Sequence, residues 1–461
     1  MQEEMNDFLD EARLRESLRK GEWVRQNSAV LVFHGVGSQR PLETLDAFAR
    51  GLIETYVAYG GADPKALRLT HRLAKKPTGT GGHWFDNFIR IERDGDPHYL
   101  DLYEYYWAHY SEHKVTLDAM QSWVENTYRG AKHFYAQQAM GERHGDHSIF
   151  FDERGCFRPL RYKASLMAAM QLIPLLTRSA DWALGLLRKI PGIGGFLVLP
   201  LAEKLRRSLF SQICNVAGDV VVYNTRDPKA DLYALRKKIL EGAVNAIRCL
   251  VEPVGDGEVN RLRYGRVVVA GHSLGSQIAF DAINRLTHLI IEGELHGVSD
   301  KGVLSLPDGS DTNISDVLGG LVTFGCPLDK IAFFLRERAK EDTYLRAQML
   351  THFHAFKQKA WDFGGGNDVN VCGHATAVVA PPYLLENTLL PKLFDAISWS
   401  NYHDAQDPVS GHLDYYDNVR NVDCRFIPQE KVAIPALLPF THSRYWEHKP
   451  MYADILVRHL L

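Results

Sequence analysis

The sequence predicts an α/β fold, a mostly parallel central sheet with flanking helices. Three observations carry this. Short apolar, β-branched runs recur and stop at glycines. Stretches with a helical apolar period follow them. The two kinds of segment alternate along the chain, as strand–helix–strand units require. The chain has 461 residues, 45% hydrophobic and 24% charged, an ordinary balance for a packed globular protein. A single core rarely grows beyond roughly 250–300 residues, so one domain enlarged by insertions is expected.

Residues 1–26 read as a polar, amphipathic helical extension, charged throughout and without the apolar stretch of a secretory signal. Residues 29–33 (AVLVF) form a continuous apolar run that stops at His34-Gly35-Val36-Gly37. A short β-branched run closed by glycines reads as a buried parallel strand. Pro41 is placed to open a helix at its favoured first position. Leu42, Leu45, Ala49, Leu52, Ile53 and Tyr56 keep a helical period after it. Residues 99–108 (YLDLYEYYWA) are a second strand, rich in aromatics. Glu104 within it is either a site-lining carboxylate or a buried, paired one. Residues 229–250 read as a long amphipathic helix. Residues 266–270 (RVVVA) are a third strand and lead into Gly271-His272-Ser273-Leu274-Gly275, with a helix over 276–291. Residues 318–324 (LGGLVTF) are a fourth strand, and residues 396–399 open a fifth. The stretches 109–217 and 338–395 are too long for plain crossovers and read as insertions, the first of them a largely helical cap or lid. The main domain is then assembled from residues 27–108 and 218–461.

Composition narrows the function. A net charge of −3 argues against nucleic acid as a partner, which needs a concentrated basic face. The six cysteines (Cys156, Cys214, Cys249, Cys326, Cys372 and Cys424) are scattered and form no C-x-x-C pair. They read as reduced, buried thiols of a cytoplasmic protein. His352 and His354 lack a carboxylate or cysteine at ligand spacing. Gly364-Gly365-Gly366 lacks the Lys-Ser/Thr of a phosphate-binding loop. Neither a metal nor an organic cofactor is expected.

Gly271-x-Ser273-x-Gly275 carries the chemistry. A nucleophilic serine at the end of a strand must sit on a sharp, strained turn so that its hydroxyl clears the sheet. Side chains two residues to either side would collide there, and glycine has none. The helix that follows directs the positive end of its dipole at the place where negative charge develops. An inert serine in a tight glycine turn is the plain alternative. The apolar strand before the motif and the amphipathic helix after it argue for the nucleophile.

The order of a strand ending in His34-Gly35-Val36-Gly37, then Gly271-His272-Ser273-Leu274-Gly275, then Asp407-Pro408-Val409, then His442, resembles the lipase and esterase branch of the α/β-hydrolase superfamily. The resemblance covers roughly residues 28–107, 218–337 and 396–461. It implies an α/β-hydrolase fold and a serine hydrolase that cleaves carboxylic esters. Ser273 would be its nucleophile and His442 its base, in the loop LPFTHSRYW before a final helix. His403, His412 and His448 are the other late histidines. The acid would be Asp407, with Asp404, Asp414, Asp417 and Asp329 as alternatives. The oxyanion hole would take its backbone N–H groups from Leu274 and Val36.

Residues 164–205 are unusually apolar but broken by Arg178, Asp181, Arg188 and Lys189 and by Pro174, Pro191 and Pro200. The runs are too short to span a bilayer. They read either as a buried cap or as a lid whose apolar face meets a membrane surface. Either reading favours an acyl lipid as substrate, hence a lipase or phospholipase. The alternatives are a soluble esterase or thioesterase and, from another class, a non-catalytic interaction module. A regulatory protein partner has no mark in the sequence.

Overall fold

The computed structural model describes residues 9–35, 40–73, 87–110, 231–254, 261–329, 393–426 and 442–461, with a few positions in these ranges excepted. It also describes residues 128–129, 158–160, 223, 345, 349 and 352–355. The segment 164–205 and almost all of both insertions lie outside the described residues.

The chain opens with helix α1 (Glu11–Lys20), strand β1 (Ser28–Phe33) and helix α2 (Glu43–Gly60). Strands β2 (Leu67–Leu73), β3 (Asn87–Arg93) and β4 (Tyr99–Tyr105) follow. Helix α3 (Asp231–Val251) precedes β5 (Arg266–His272) and helix α4 (Leu274–Ile291). A small hairpin, β6 (Val303–Ser305) and β7 (Asp311–Asn313), stands apart from the main sheet. A short helix, α5 (Ile314–Val317), leads into β8 (Leu318–Phe324). Another, α6 (Leu393–Ala396), leads into β9 (Ser398–His403), and β10 (Val419–Asp423) and helix α7 (Lys449–Ile455) complete the set.

Eight strands form one sheet in the order β10-β9-β8-β5-β1-β4-β3-β2. The six from β10 to β4 are mutually parallel, and β3 is antiparallel to both its neighbours. The apolar run in β1 is continuous because both faces of the strand are covered. Ala29, Leu31 and Phe33 enter one buried cluster with Ile247 of α3 and Ile278 of α4. Val30 and Val32 enter the other with Leu18 of α1, Leu52 of α2 and Tyr452 of α7. The N-terminal segment is thus part of the main core, since Leu14 and Leu18 are buried there. Its described helix spans Glu11–Lys20 rather than the whole of 1–26.

From β1 the chain moves to β4 on one side, and from β4 it crosses to β5 on the other. The strand order therefore reverses between β1 and β5. In open sheets of this kind a crevice forms at the carboxyl ends of such a pair.

Other boundaries also differ from the sequence expectation: Ala396 ends α6 and β9 opens at Ser398, α4 opens at Leu274 rather than residue 276, and two more have a visible cause. Helix α2 begins at Glu43 and not at Pro41, because Leu42 takes a left-handed conformation with φ 70°. The Leu42 N–H donates to Glu104 Oε2 at 2.6 Å. Glu104 is therefore buried and tied through Oε2 to the start of α2, and burial pushes its pKa up. The strand expected over 99–108 stops at Tyr105, and a 3-10 turn, Ala108–Tyr110, takes over.

A charged cluster lies between β3 and β4, at the amino end of β4. The Arg90 guanidinium forks onto Asp101, with Nε and Nη2 each 2.7 Å from a carboxylate oxygen. Tyr264 donates to the same carboxylate at 2.7 Å, and Tyr103 packs its hydroxyl 2.6 Å from that of Tyr264. Asp101 is fully buried. Removing one partner leaves a buried carboxylate without its compensating charge. Arg90→Met should lower stability by about 3–5 kcal/mol, read as a shift of the urea midpoint. A midpoint unchanged by the substitution would show that the pair contributes little.

Among the described residues, no helix is long and apolar enough to cross a membrane, and no group of three or more His, Cys, Asp or Glu side chains is placed to hold a metal ion. Cys326 and Cys424 are buried free thiols, and Cys249 is a half-buried one.

Candidate active site

Strand β5 hands directly to α4 through Ser273, whose backbone has φ 52° and ψ −128°. Side chains rarely adopt this region, and holding one there costs on the order of 1–3 kcal/mol. The turn is fixed from several directions. The Ser273 N–H donates to the Phe324 carbonyl of β8 at 3.1 Å. Ser276 closes the helix start, its N–H on the Ser273 carbonyl at 2.9 Å and its hydroxyl on the Gly271 carbonyl at 2.6 Å. The flanking glycines are there because nothing larger fits. A Cβ on Gly271 would lie 2.6 Å from the Ser276 Cα. A Cβ on Gly275 would lie 2.4 Å from the carbonyl oxygens of both Phe33 and His34. The second close approach lets α4 begin hard against the end of β1. Ser273 itself is 3% exposed.

The end of β1 meets this turn. A Cβ on Gly35 would come within 2.9 Å of the Ser273 Cβ. His34 is fully buried, and burial pulls its pKa down to about 4, so the ring is neutral. Its Nε2 accepts the Trp107 N–H at 3.0 Å, which leaves the proton on Nδ1 to donate to the Gly35 carbonyl at 2.8 Å. Trp107 also donates its indole N–H to the His34 carbonyl at 3.1 Å and stacks on the imidazole, with centroids 4.7 Å apart. His34 and Gly35 are therefore clamped beside the serine. Leu274, the expected first oxyanion donor, is the first residue of α4. Val36, the expected second donor, lies outside the described residues.

Asp407 lies beyond β9, and His442 precedes the short turn Arg444–Glu447. The structure brings them together. His442 Nδ1 is 2.8 Å from Asp407 Oδ2. A carboxylate only accepts, so Nδ1 carries a proton and donates, and Nε2 is the ring nitrogen left over. Asp407 is 2% exposed. Two further donors meet it: the Tyr445 hydroxyl at Oδ2, 3.1 Å away, and the Val409 N–H at Oδ1, 2.9 Å away. Burial alone would raise the Asp407 pKa. The His442 charge and hydrogen bond, aided by the other two donors, outweigh it and hold the carboxyl down at about 2.

The pair and the serine lie at the carboxyl ends of the neighbouring strands β5, β8 and β9. A Cβ on Gly325, which follows β8, would lie 2.9 Å from His442 Cε1. The residue before it, Phe324, accepts the Ser273 N–H. Among the described residues, His442 Nε2 is buried and has no hydrogen-bond partner, so the serine–histidine hydrogen bond is not made in this structure. Such bonds often form only once substrate is seated.

The alternatives have other partners. Asp404 accepts the Phe426 N–H on Oδ2 at 2.6 Å. Asp329 is buried beside Cys326. Asp414 and Asp417 lie outside the described residues. His448 packs edge-on against Phe426, with centroids 5.1 Å apart, and burial pulls its pKa down to about 4. The rings of His403 and His412 meet edge-on, with centroids 5.6 Å apart. Trp107, His272 and Tyr445 hold the site but were not singled out by sequence. Their roles depend on contacts across the fold, which leave no local pattern.

The set offers a strained serine at a helix start, a histidine in a fixed tautomer and a buried carboxylate beneath it. A set of this kind can support covalent acyl transfer. No protein-family model, curated protein or solved structure matches the chain.

Proposed function

We propose that the protein is a serine hydrolase of the α/β-hydrolase type, cleaving carboxylic esters through Ser273, His442 and Asp407. One observation carries the reading. A buried, three-donor Asp407 fixes His442 against Gly325, on the strand end that also accepts the N–H of a left-handed Ser273. A serine in a routine glycine turn needs neither the strained angles nor that neighbour.

In this mechanism Ser273 attacks the ester carbonyl as His442 Nε2 takes its proton. The carbonyl oxygen becomes an oxyanion held by backbone N–H groups, that of Leu274 and, by the resemblance, that of Val36. His442 then gives the proton to the leaving alcohol, whose C–O bond breaks to leave an acyl-serine. Water, deprotonated by His442, attacks that acyl group and releases the acid and the free serine. Asp407 keeps the Nδ1 proton in place and stabilises the imidazolium that forms at each step.

The substrate class is proposed as acyl lipid. Its support is the composition of 164–205 alone, read as a cap or membrane-facing lid. A soluble ester or thioester hydrolase uses the same residues.

The direct test is to incubate the full chain with a fluorophosphonate probe and, separately, with short- and long-chain p-nitrophenyl esters. Stoichiometric labelling and ester turnover are expected, with the long chains preferred. Turnover of short esters alone would replace the lipase reading with a soluble esterase. A chain that is neither labelled nor active would be an interaction module on this scaffold.

A further inference from the structure

His272 sits between the two glycines of the serine turn, and no step above uses it. It is 9% exposed, and its surroundings come from three separate parts of the chain. Its Nε2 is 3.1 Å from the main-chain carbonyl oxygen of His442. A carbonyl only accepts, so Nε2 carries the proton and donates. Its Nδ1 lies 3.0 Å from where a Cβ on Gly35 would stand. Its ring packs on His442 with centroids 4.9 Å apart, and against Phe324 at 5.2 Å and Trp446 at 5.0 Å. Burial, and then the neighbouring His442, pull the His272 pKa down to about 3, so the ring stays neutral and remains a donor at working pH.

The histidine loop is therefore tied to the sheet at two points on one residue. Asp407 holds the His442 side chain through Nδ1, and His272 holds its backbone. The second tie starts from the residue bonded directly to Ser273. We propose that His272 is a positioning residue whose Nε2–H, bound to the His442 carbonyl, holds the base-bearing loop in register with the strand that carries Ser273. The inference rests on the hydrolase reading for its consequence and on the described contacts for its geometry. A misplacement of about 1 Å at a reacting group can cost 10²-fold in rate, so a single bond of this kind has a measurable effect.

The test compares His272→Phe, which keeps a ring and loses the donor, with His272→Gln, whose amide N–H reaches a similar position. The readouts are the rate of fluorophosphonate labelling and the downfield NMR resonance of the His442 Nδ1 proton. His272→Phe should label about 10–100-fold more slowly at nearly wild-type thermal midpoint, with the resonance lost or shifted. His272→Gln should restore both. If His272→Phe does not fold, His272→Asn takes its place under the same criteria, since its shorter amide falls short of the carbonyl. Wild-type labelling by the donorless variant overturns the proposal. So does an equal loss in the Phe and Gln variants, because ring packing would then be the whole role. If the wild type is not labelled at all, the hydrolase reading fails. The resonance then decides the positioning role alone, and an unshifted signal in His272→Phe overturns it.

Discussion

Ser273→Ala should abolish fluorophosphonate labelling and lower ester turnover by about 10⁶-fold, the scale of losing the nucleophile if the proposed triad operates. The expectation is that specific because the substitution removes one oxygen and little else. The backbone at residue 273 has φ 52°, and alanine meets the same steric cost there as serine. The turn is held by main-chain bonds to Phe324 and Ser276, which the substitution leaves intact. Ser273→Ala should therefore unfold within about 0.5 kcal/mol of wild type. Ser273→Gly should be as inactive and more stable, by roughly 1 kcal/mol, since glycine relieves the strain but loses more freedom on folding. Labelling that persists in Ser273→Ala would place the nucleophile elsewhere. A glycine variant no more stable than the alanine one would show that the turn stores no strain.

The parts of the fold that were legible in the sequence are those with cover on both faces. Strands β1, β4, β5, β8 and β9 are the ones the sequence marks, and all five lie side by side in the sheet. Strands β2 and β3 escaped because they are antiparallel and half-exposed. In β2 only Leu67 is buried, while Leu69 and Leu73 are open to solvent, so no continuous run develops. Strand β10 (VRNVD) is short and polar and exists through its pairing with β9. The start of α2 was misplaced because Pro41 is a good local signal, whereas the carboxylate that sets the boundary, Glu104, lies 62 residues away.

The site divides in the same way. Ser273 and its glycines form a local motif, since one sharp turn imposes all three. The partners proposed for that serine are long-range. Asp407 and His442 are 35 residues apart, and chain order alone left four histidines and five aspartates in contention. Tyr445 sits only three residues after His442, yet nothing in the local sequence shows that its hydroxyl ends on the same carboxylate oxygen. His272 occupies a variable position of the serine motif and is recognised only by what it touches.

Asp407→Asn should fold and lose about 10⁴-fold in turnover, the scale of a triad left with the wrong histidine tautomer. The argument is one of counting donors. Asp407 accepts from His442 Nδ1–H and the Tyr445 hydroxyl on Oδ2, and from the Val409 N–H on Oδ1. An asparagine has one acceptor oxygen and one donor amide. With its oxygen toward His442, its NH₂ opposes the Val409 N–H. With its oxygen toward Val409, its NH₂ faces His442 and drives the imidazole proton from Nδ1 to Nε2, so the base has no lone pair for Ser273. Asp404→Asn should stay near wild-type activity, because its Phe426 N–H can still be accepted by an amide oxygen. The same count sets a pH signature. The Asp407 pKa is depressed on folding from 3.8 to about 2, so its contribution is fully present above the unfolded value and is lost as pH falls through the folded one. It amounts to on the order of 2 kcal/mol. Wild type should therefore lose stability in urea between about pH 4 and pH 2 more steeply than Asp407→Asn, which lacks the titrating group. Parallel slopes, or an Asp404→Asn variant that is the inactive one of the two, would remove Asp407 from its place beneath His442.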